Sequence, residues 1–224
     1  GAEALIRWNS RKYGFIGPNT FIPLLEDSAL IIPLGRWIIN TAAKACNRWI
    51  TSIPDFVMHI NLSFVQIVKS NIIKDVLENI ERYSAANNHY VFEITETIEM
   101  DQIPAVQNVF KEFVKNEFRF AIDDFGTGYS NYGYMRDRTF DIVKVDRSFV
   151  TDIDKLKDNY LMVSFIIKMA HEMGLHVCIE GVETKEELSC VKKLGADYIQ
   201  GYYYGKPEPA YEFERLNFKG RINI

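Results

Sequence analysis

The stretch AIDDFGTGYSN, residues 121–131, ends an apolar run with two adjacent carboxylates, Asp123 and Asp124, and then places Gly126 and Gly128. Two neighbouring anions repel each other, and a bound cation would offset their charge. The glycines let the backbone turn sharply away from the end of an apolar strand. The stretch therefore predicts a buried strand whose C-terminal end carries a charged site.

Short β-branched or aromatic runs alternate with helical patterns on both sides of this stretch. The predicted strands cover residues 2–8, 56–62, 90–95, 118–123, 140–145, 176–181 and 197–201. The predicted helices cover residues 28–50, 70–85, 104–117, 157–173 and 184–194. Thr184 and Glu187 have the spacing of a capping box, and Gly174 and Gly195 lie where helices should end. Because strand–helix alternation is typical of parallel βα units, we expect one α/β domain over residues 1–224.

Polar side chains recur at or near the C-terminal ends of the predicted strands. They are Asn61, Glu93, Asp123, Lys144, Glu180 and Gln200. Seven strands fit either a barrel or an open sheet, and the pattern of runs alone does not decide between the two. One polar residue per strand favours a (β/α)8 barrel, because the strand ends of a barrel meet at the mouth where its chemistry takes place.

Composition and charge exclude some classes of function. The net charge of −4 argues against a non-specific nucleic-acid binder, so we expect no DNA partner. The three cysteines form no CxxC pair, which argues against a zinc knuckle and favours reduced thiols in the cytosol. The longest apolar runs are too short to span a membrane. We predict a cytoplasmic domain, with any membrane tether supplied by sequence outside this chain.

The residue types at the strand ends predict a divalent-cation site. Glu3, Asn61, Glu93 and Glu180 add oxygen ligands to the aspartate pair, and no histidine or cysteine stands at ligand spacing. An all-oxygen set suits Mg²⁺ or Mn²⁺ and not zinc. Two such ions, about 3.5–4 Å apart, would clamp a water and a phosphodiester for in-line attack. Lys144 would then orient the attacking water or stabilise the developing negative charge.

Each of these residues, taken alone, also has a structural interpretation. An isolated aspartate pair is most often a solvated turn, and Glu3 near a chain terminus would ordinarily be a frayed surface residue. A lysine on a strand is often found at a sheet edge, but the neighbours Val143 and Val145 favour a buried strand for Lys144.

Together, the motifs of the chain resemble the EAL domain family of cyclic di-GMP phosphodiesterases. They are EALIRW (3–8), FIPLLED (21–27), INLS (60–63), EITE (93–96), DDFGTGYSN (123–131), KVDRSFV (144–150), EGVE (180–183) and QGYYYGKP (200–207). They stand in the family's order and cover nearly the whole chain. The resemblance implies a TIM-like (β/α)8 barrel. In the family a strand and a helix precede the EAL motif, so we expect this chain to lack the first strand and helix of that barrel.

The resemblance also implies roles for individual residues. The implied metal ligands are Glu3, Asn61, Glu93, Asp123, Asp124 and Glu180, with Asp124 serving the second of two Mg²⁺ or Mn²⁺ ions. The implied catalytic residues are Glu3, Asp124 and Lys144, and the implied substrate contacts are Arg7, Glu183 and Gln200. Glu96 would anchor the loop after the aspartate pair. The implied reaction is hydrolysis of one phosphodiester bond of cyclic di-GMP to give linear pGpG.

Two other functions remain open from the sequence. Some members of this family act as cyclic di-GMP receptors or protein-interaction modules with little or no catalytic activity. A barrel metallohydrolase acting on another phosphodiester is a further hypothesis. The resemblance also implies a homodimer, coupled to the site through the GTGYSN loop (126–131), and an upstream sensory or GGDEF domain as a partner.

Overall fold

The computed structural model describes residues 1–95, 104–127 and 139–218. These residues divide into two compact units. The first unit contains residues 1–92, 104–119 and 208–218, and the second contains residues 93–95, 120–127 and 139–207. A single domain over residues 1–224 stays a prediction.

The strands form one large sheet and one small hairpin. Their bounds are β1 Ala2–Ala4, β2 Trp8–Ser10, β3 Gly14–Ile16, β4 Met58–Asn61, β5 Tyr90–Thr95, β6 Arg119–Phe125, β7 Ile142–Val145, β8 His176–Ile179 and β9 Tyr198–Ile199. The seven-stranded sheet has the order β1-β4-β5-β6-β7-β8-β9, while β2 and β3 pair antiparallel. The pairs β1–β4, β6–β7, β7–β8 and β8–β9 are parallel. The predicted α/β class and the seven predicted strands are confirmed.

Eight α-helices lie between or after the strands in the described part of the chain. Their bounds are α1 Pro18–Asp27, α2 Ile31–Trp49, α3 Phe64–Lys69, α4 Ile72–Ile80, α5 Pro104–Lys115, α6 Lys157–Glu172, α7 Lys185–Leu194 and α8 Ala210–Asn217. The predicted capping box of Thr184 and Glu187 is present at the start of α7, and Gly195 ends that helix with a φ of 89°.

Two predicted helices differ from the structure, and three helices were missed. The helix predicted over 28–50 begins at Ile31, because Ala29 has a φ of +57° and separates α2 from the preceding α1. The helix predicted over 70–85 is shorter: α4 runs from Ile72 to Ile80, since Ser70 is extended and the Asn71 side chain caps the helix. Helices α1, α3 and α8 were not predicted from periodicity.

The strand predicted over 2–8 is shorter than expected. It ends at Ala4, whose register partner is Ile60, one residue before the end of β4. In this register Leu5 would lie opposite Asn61, the last residue of β4, and residues 6–7 run beyond that strand, where no ladder can form. The chain then enters the β2–β3 hairpin, and the Trp8 ring packs edge-on against Phe21 of α1 at 5.6 Å between centroids.

Aromatic side chains dominate part of the core of the first unit. Trp49 of α2 lies 4.9 Å from Phe213 and 5.9 Å from Phe218, measured between ring centroids. Its indole N–H donates to Glu214 Oε1 at 2.9 Å. These contacts hold the short helix α8, which explains why its own sequence pattern did not reveal it.

The core of the second unit surrounds β7. All four residues of β7 are buried, and three of the four residues of β8 are buried beside them. Helix α6 contributes Val163, Ile166, Ile167 and Ala170 to this core. In the part of the chain that the structure describes, no helix combines the length and the hydropathy that a membrane span requires.

Candidate active site

Lys144 lies at the centre of a group of carboxylates in the second unit. Its ammonium nitrogen is 2.8 Å from Glu93 Oε2, 2.9 Å from Asp123 Oδ1 and 2.9 Å from Glu180 Oε1. These four residues lie within two residues of the C-terminal ends of β5, β6, β7 and β8. The structure therefore brings together four of the polar strand-end residues that the sequence singled out.

The centre of this group is removed from water, while Asp123 and Glu180 at its rim are 13% and 16% exposed. The side chain of Lys144 is 1% exposed and that of Glu93 is 0% exposed. A buried ion pair loses much of its attraction to desolvation, but a single charge left in such a place costs far more. Formal charges of −4 on Glu93, Asp123, Asp124 and Glu180 and +1 on Lys144 leave a net charge of −3. The group therefore favours additional cations.

The two aspartates at the end of β6 are directed differently by an irregularity in the strand. The β6–β7 register shifts between Ile122 and Phe125, and Asp124 has a φ of +54°. Backbone in this left-handed region is strained for a residue with a side chain. The side chain of Asp123 contacts Lys144, whereas Asp124 is exposed. That the two carboxylates serve different metal ions stays a prediction.

The chemistry of the donor set fits a hard divalent cation. Asp123, Asp124 and Glu180 each offer a carboxylate oxygen, and these oxygens lie within 4.8 Å of one another. Three converging carboxylates are typical of Mg²⁺ or Mn²⁺ sites, which prefer oxygen ligands. The donor set does not distinguish Mg²⁺ from Mn²⁺.

Gly126 lets the start of the loop after β6 lie close to its neighbours. A Cβ on Gly126, which has a φ of +96°, would lie 2.7 Å from Cε2 of Phe149. The backbone of Asp124 is held as well, because the N–H and the hydroxyl of Thr127 donate to its carbonyl at 3.2 and 2.8 Å. Residues 128–131 of the GTGYSN loop lie outside the described residues, and so does Glu96.

Cys178 lies beside Lys144, a contact that the sequence analysis missed. It is the register partner of Lys144 in the β7–β8 pair. Burial raises the pKa of the Cys178 thiol far above its ordinary value, and nearby Lys144 only partly counteracts this. Cys178 is thus a neutral neighbour and not a thiolate. The sequence did contain a signal for this contact. Cys178 stands two residues before Glu180, and residues two apart along a strand point to the same face.

The first unit brings a second pair of predicted ligands together. Asn61 Nδ2 donates to Glu3 Oε1 at 2.7 Å. Both residues come from the parallel pair of β1 and β4. Arg7 is exposed, and its guanidinium donates to the Ile6 carbonyl at 2.8 Å.

The other predicted substrate contacts lie near Glu180 along the backbone. The N–H of Gln200 donates to Ile179 O at 2.8 Å, and its carbonyl accepts from Val182 N at 3.2 Å. The N–H of Glu183 donates to a carboxylate oxygen of Glu187 at 2.9 Å. Their roles, like those of the other site residues, stay predictions.

Comparison with known proteins gives the chain a family context. A family model described as "EAL domain" matches residues 1–207. The chain is 32% identical over 216 residues to the cyclic di-GMP phosphodiesterase PdeL of Escherichia coli K12, and covers 59% of it. It is 31% identical over 211 residues to MucR of Pseudomonas aeruginosa, a bifunctional diguanylate cyclase/cyclic di-GMP phosphodiesterase, and covers 31% of that protein. These matches span 95% and 94% of this chain, respectively.

Solved structures share the fold. The cyclic di-GMP complex of the PaMucR phosphodiesterase has a TM-score of 0.88 at 30% identity, covering 95% of this chain and 87% of that one. The EAL enzyme Bd1971, bound to cAMP and cyclic di-GMP, has a TM-score of 0.90 at 34% identity, covering 96% of this chain and 59% of that one. The predicted EAL-type fold is confirmed. The chain spans 26–31% of the length of several curated relatives that it matches.

Proposed function

Because the chain belongs to the EAL domain family, we propose that it is a metal-dependent phosphodiesterase that hydrolyses cyclic di-GMP to linear pGpG. One observation carries the proposal most directly. The Lys144 ammonium lies within 2.9 Å of three carboxylates. The oxygens of two of these carboxylates also converge with that of Asp124. A site that combines a fixed cation with excess negative charge suits metal-assisted attack on a phosphodiester.

The proposed metal ligands are the carboxylates that converge in the second unit. Asp123, Asp124 and Glu180 offer oxygens within 4.8 Å of one another. The family resemblance adds Glu3, Asn61 and Glu93 as proposed ligands. Bound Mg²⁺ or Mn²⁺ would lower the pKa of a coordinated water and offset the charge of the phosphodiester.

Lys144 is proposed to act on the reacting groups as a fixed positive charge. Its three carboxylate partners hold the ammonium in place, so no reorganisation is needed when negative charge develops on the phosphoryl oxygens. If bound metal drew one of these carboxylates away, the N–H released from it could orient the attacking water. Arg7, Glu183 and Gln200 are proposed to contact the nucleotide, and Glu96 to anchor the loop after the aspartate pair.

The direct test is incubation of the protein with cyclic di-GMP in Mg²⁺ or Mn²⁺, with product analysis by chromatography. We expect pGpG to form with either ion and no product to form in EDTA. Linear dinucleotides and cyclic mononucleotides serve as competing substrates. Folded protein that binds cyclic di-GMP tightly without turnover would favour a receptor, and turnover of another phosphodiester alone would favour a different hydrolase.

A homodimer and a neighbouring GGDEF domain are proposed as partners. The relative MucR is named as a bifunctional diguanylate cyclase and phosphodiesterase, which supports a GGDEF neighbour in a longer polypeptide. Exposed apolar side chains on α6 support association with a second copy. Leu161, Met162 and Phe165 are 54%, 46% and 57% exposed and share one helix face. The cytoplasm is the proposed location.

A further inference from the structure

We propose that Glu187 is a positioning residue that ties the loop after β7 to the loop after β8, and thereby holds Glu180 against Lys144. The inference rests on the proposed function, because those loops follow the catalytic lysine and a proposed metal ligand. It concerns a residue on helix α7 that is not among the proposed metal ligands or substrate contacts.

The carboxylate of Glu187 joins three backbone N–H groups from two separate segments. One oxygen, Oε2, accepts from Glu183 N at 2.9 Å and from Thr184 N at 3.0 Å. The other oxygen, Oε1, accepts from Asp152 N at 3.2 Å. Glu187 is only 6% exposed. We call this set of three hydrogen bonds the Glu187 bridge.

The bridge does more than cap a helix. In a capping box, the side chain of the third helical residue needs to accept only one hydrogen bond, from the N-cap N–H. The box of Ser63 and Gln66 at the start of α3 meets that need with a neutral amide. At α7 the same position holds a carboxylate, and its second oxygen reaches Asp152, 35 residues earlier in the chain. The second oxygen of the Glu187 carboxylate therefore binds the loop after β7, which a capping box does not require.

One of the three N–H groups that donate to Glu187 belongs to Asp152, a residue with a strained backbone. Asp152 has a φ of +56°, in the left-handed region that residues with side chains rarely adopt. A backbone conformation of this kind persists only where its surroundings hold it. The Glu187 bridge supplies one such restraint.

The carboxylate of Glu187 is ionised in the Glu187 bridge. Burial alone would raise the pKa of Glu187, but the hydrogen bonds from Glu183, Thr184 and Asp152 outweigh it and lower that pKa. Glu187 is therefore ionised at neutral pH, and both oxygens are acceptors.

The two bridged loops also touch next to the candidate active site. Glu180 N donates to Val145 O at 3.1 Å. A Cβ added to Gly181 would lie 2.2 Å from the Cβ of Arg147, so the two backbones are in close contact there. Because Glu180 Oε1 is 2.9 Å from Lys144 Nζ, a small displacement of either loop would separate these two groups.

The test compares Glu187→Gln with Glu186→Gln. Glu186 is an exposed neighbour in the same helical turn, so its variant makes the same change of charge without touching the bridge. Mn²⁺ affinity is measured by calorimetry, and amide exchange at Asp152 and Glu183 by NMR. We expect Glu187→Gln to weaken Mn²⁺ binding about tenfold and to speed exchange at both amides, as loss of an outer partner does at metal sites. Glu186→Gln should change neither.

Two further variants separate positioning from stability. Thr184→Ala removes the side-chain cap but leaves the bond to Asp152, so it should lower the melting temperature and leave Mn²⁺ affinity unchanged. If Glu187→Gln does not fold, Glu187→Asp takes its place, since its shorter side chain cannot span both loops. Wild-type Mn²⁺ affinity in the folded Glu187 variant would overturn the inference. Wild-type protein that neither binds Mn²⁺ nor hydrolyses cyclic di-GMP would instead overturn the proposed function.

Discussion

Lys144 sets the charge balance of the candidate site. It is the one ammonium that contacts Glu93, Asp123 and Glu180 in the part of the chain that the structure describes. Without it, those carboxylates would face one another in a place that water barely reaches. A bound divalent cation would offset part of the same repulsion.

We therefore expect Lys144→Met to destabilise the metal-free protein by about 3–5 kcal/mol, because it leaves buried carboxylates without their counter-charge. Added Mn²⁺ should recover part of this loss, since an ion that binds only the folded state stabilises it. Urea unfolding in EDTA and in Mn²⁺ measures both effects. Lys157→Met, at an exposed position, is the control. Equal unfolding midpoints for Lys144→Met and wild type in EDTA would contradict the charge argument.

We expect Asp124 to lower the stability of the fold while it contributes to metal binding. Its φ of +54° costs about 1 kcal/mol for a residue with a side chain. Asp124→Gly should therefore raise the free energy of unfolding in EDTA while weakening Mn²⁺ binding. Glu117→Gly relieves a similar φ of +62° away from the acidic cluster, so it should gain stability and keep Mn²⁺ affinity. A drop in stability of Asp124→Gly in EDTA would count against stored strain.

The site residues lie near the C-terminal ends of strands, so the way each strand ends determines where they lie. Strand β6 ends in an irregularity, and the loop that follows passes directly over Phe149. Strand β8 ends at Ile179, one residue before Glu180. The elements themselves are ordinary, and the chemistry lies in their last residues and in the loops that follow.

At this scale we expect Gly126→Ala to destabilise the protein by about 1–3 kcal/mol, because the new Cβ would overlap the Phe149 ring. Its φ of +96° adds to the cost. Gly205→Ala is the matched control, since a Cβ at Gly205 meets nothing within 4 Å. Thermal unfolding of the two variants measures the difference. Equal melting temperatures would show that the loop relaxes freely.

The junction of α6, β8 and β9 predicts a dependence of stability on pH. Burial would raise the pKa of Asp197, but hydrogen bonds from His171, Val177 and His176 outweigh it and lower that pKa. The ionised carboxylate therefore stabilises the fold above its unfolded pKa of about 4, and the contribution is lost as pH falls through the folded pKa. Wild type should exceed Asp197→Asn in stability at pH 7, with the gap narrowing toward pH 3. A gap that does not change with pH would contradict this.

The sequence predicted individual helices and strands better than it predicted the contacts between them. Strand β5 and the start of α7 came out as expected, because a continuous apolar run and a capping box are local signals. Helix α8 was missed because Trp49 and Glu214 hold it through contacts distant in sequence. The place of Lys144 among carboxylates was expected, but the contacts of Cys178 and Glu187 were not, since register and loop geometry determine them.

On the scale of the whole molecule, we expect a homodimer through the exposed face of α6. Phe165 is 57% exposed on that helix. Phe165→Glu should shift the protein toward monomer in sedimentation velocity, because a charge replaces an apolar contact. Leu216→Glu, at an exposed position on α8, is the matched control and should leave the distribution unchanged. Wild type that remains monomeric at high concentration would contradict the dimer.

The central claim is that the carboxylates around Lys144 hold divalent metal for hydrolysis of cyclic di-GMP. Anomalous diffraction from a crystal grown with Mn²⁺ and cyclic di-GMP tests it most directly. We predict manganese peaks within coordination distance of Asp123, Asp124 and Glu180, with a phosphate of the nucleotide beside them. Bound nucleotide with no manganese peak at these residues would contradict the claim.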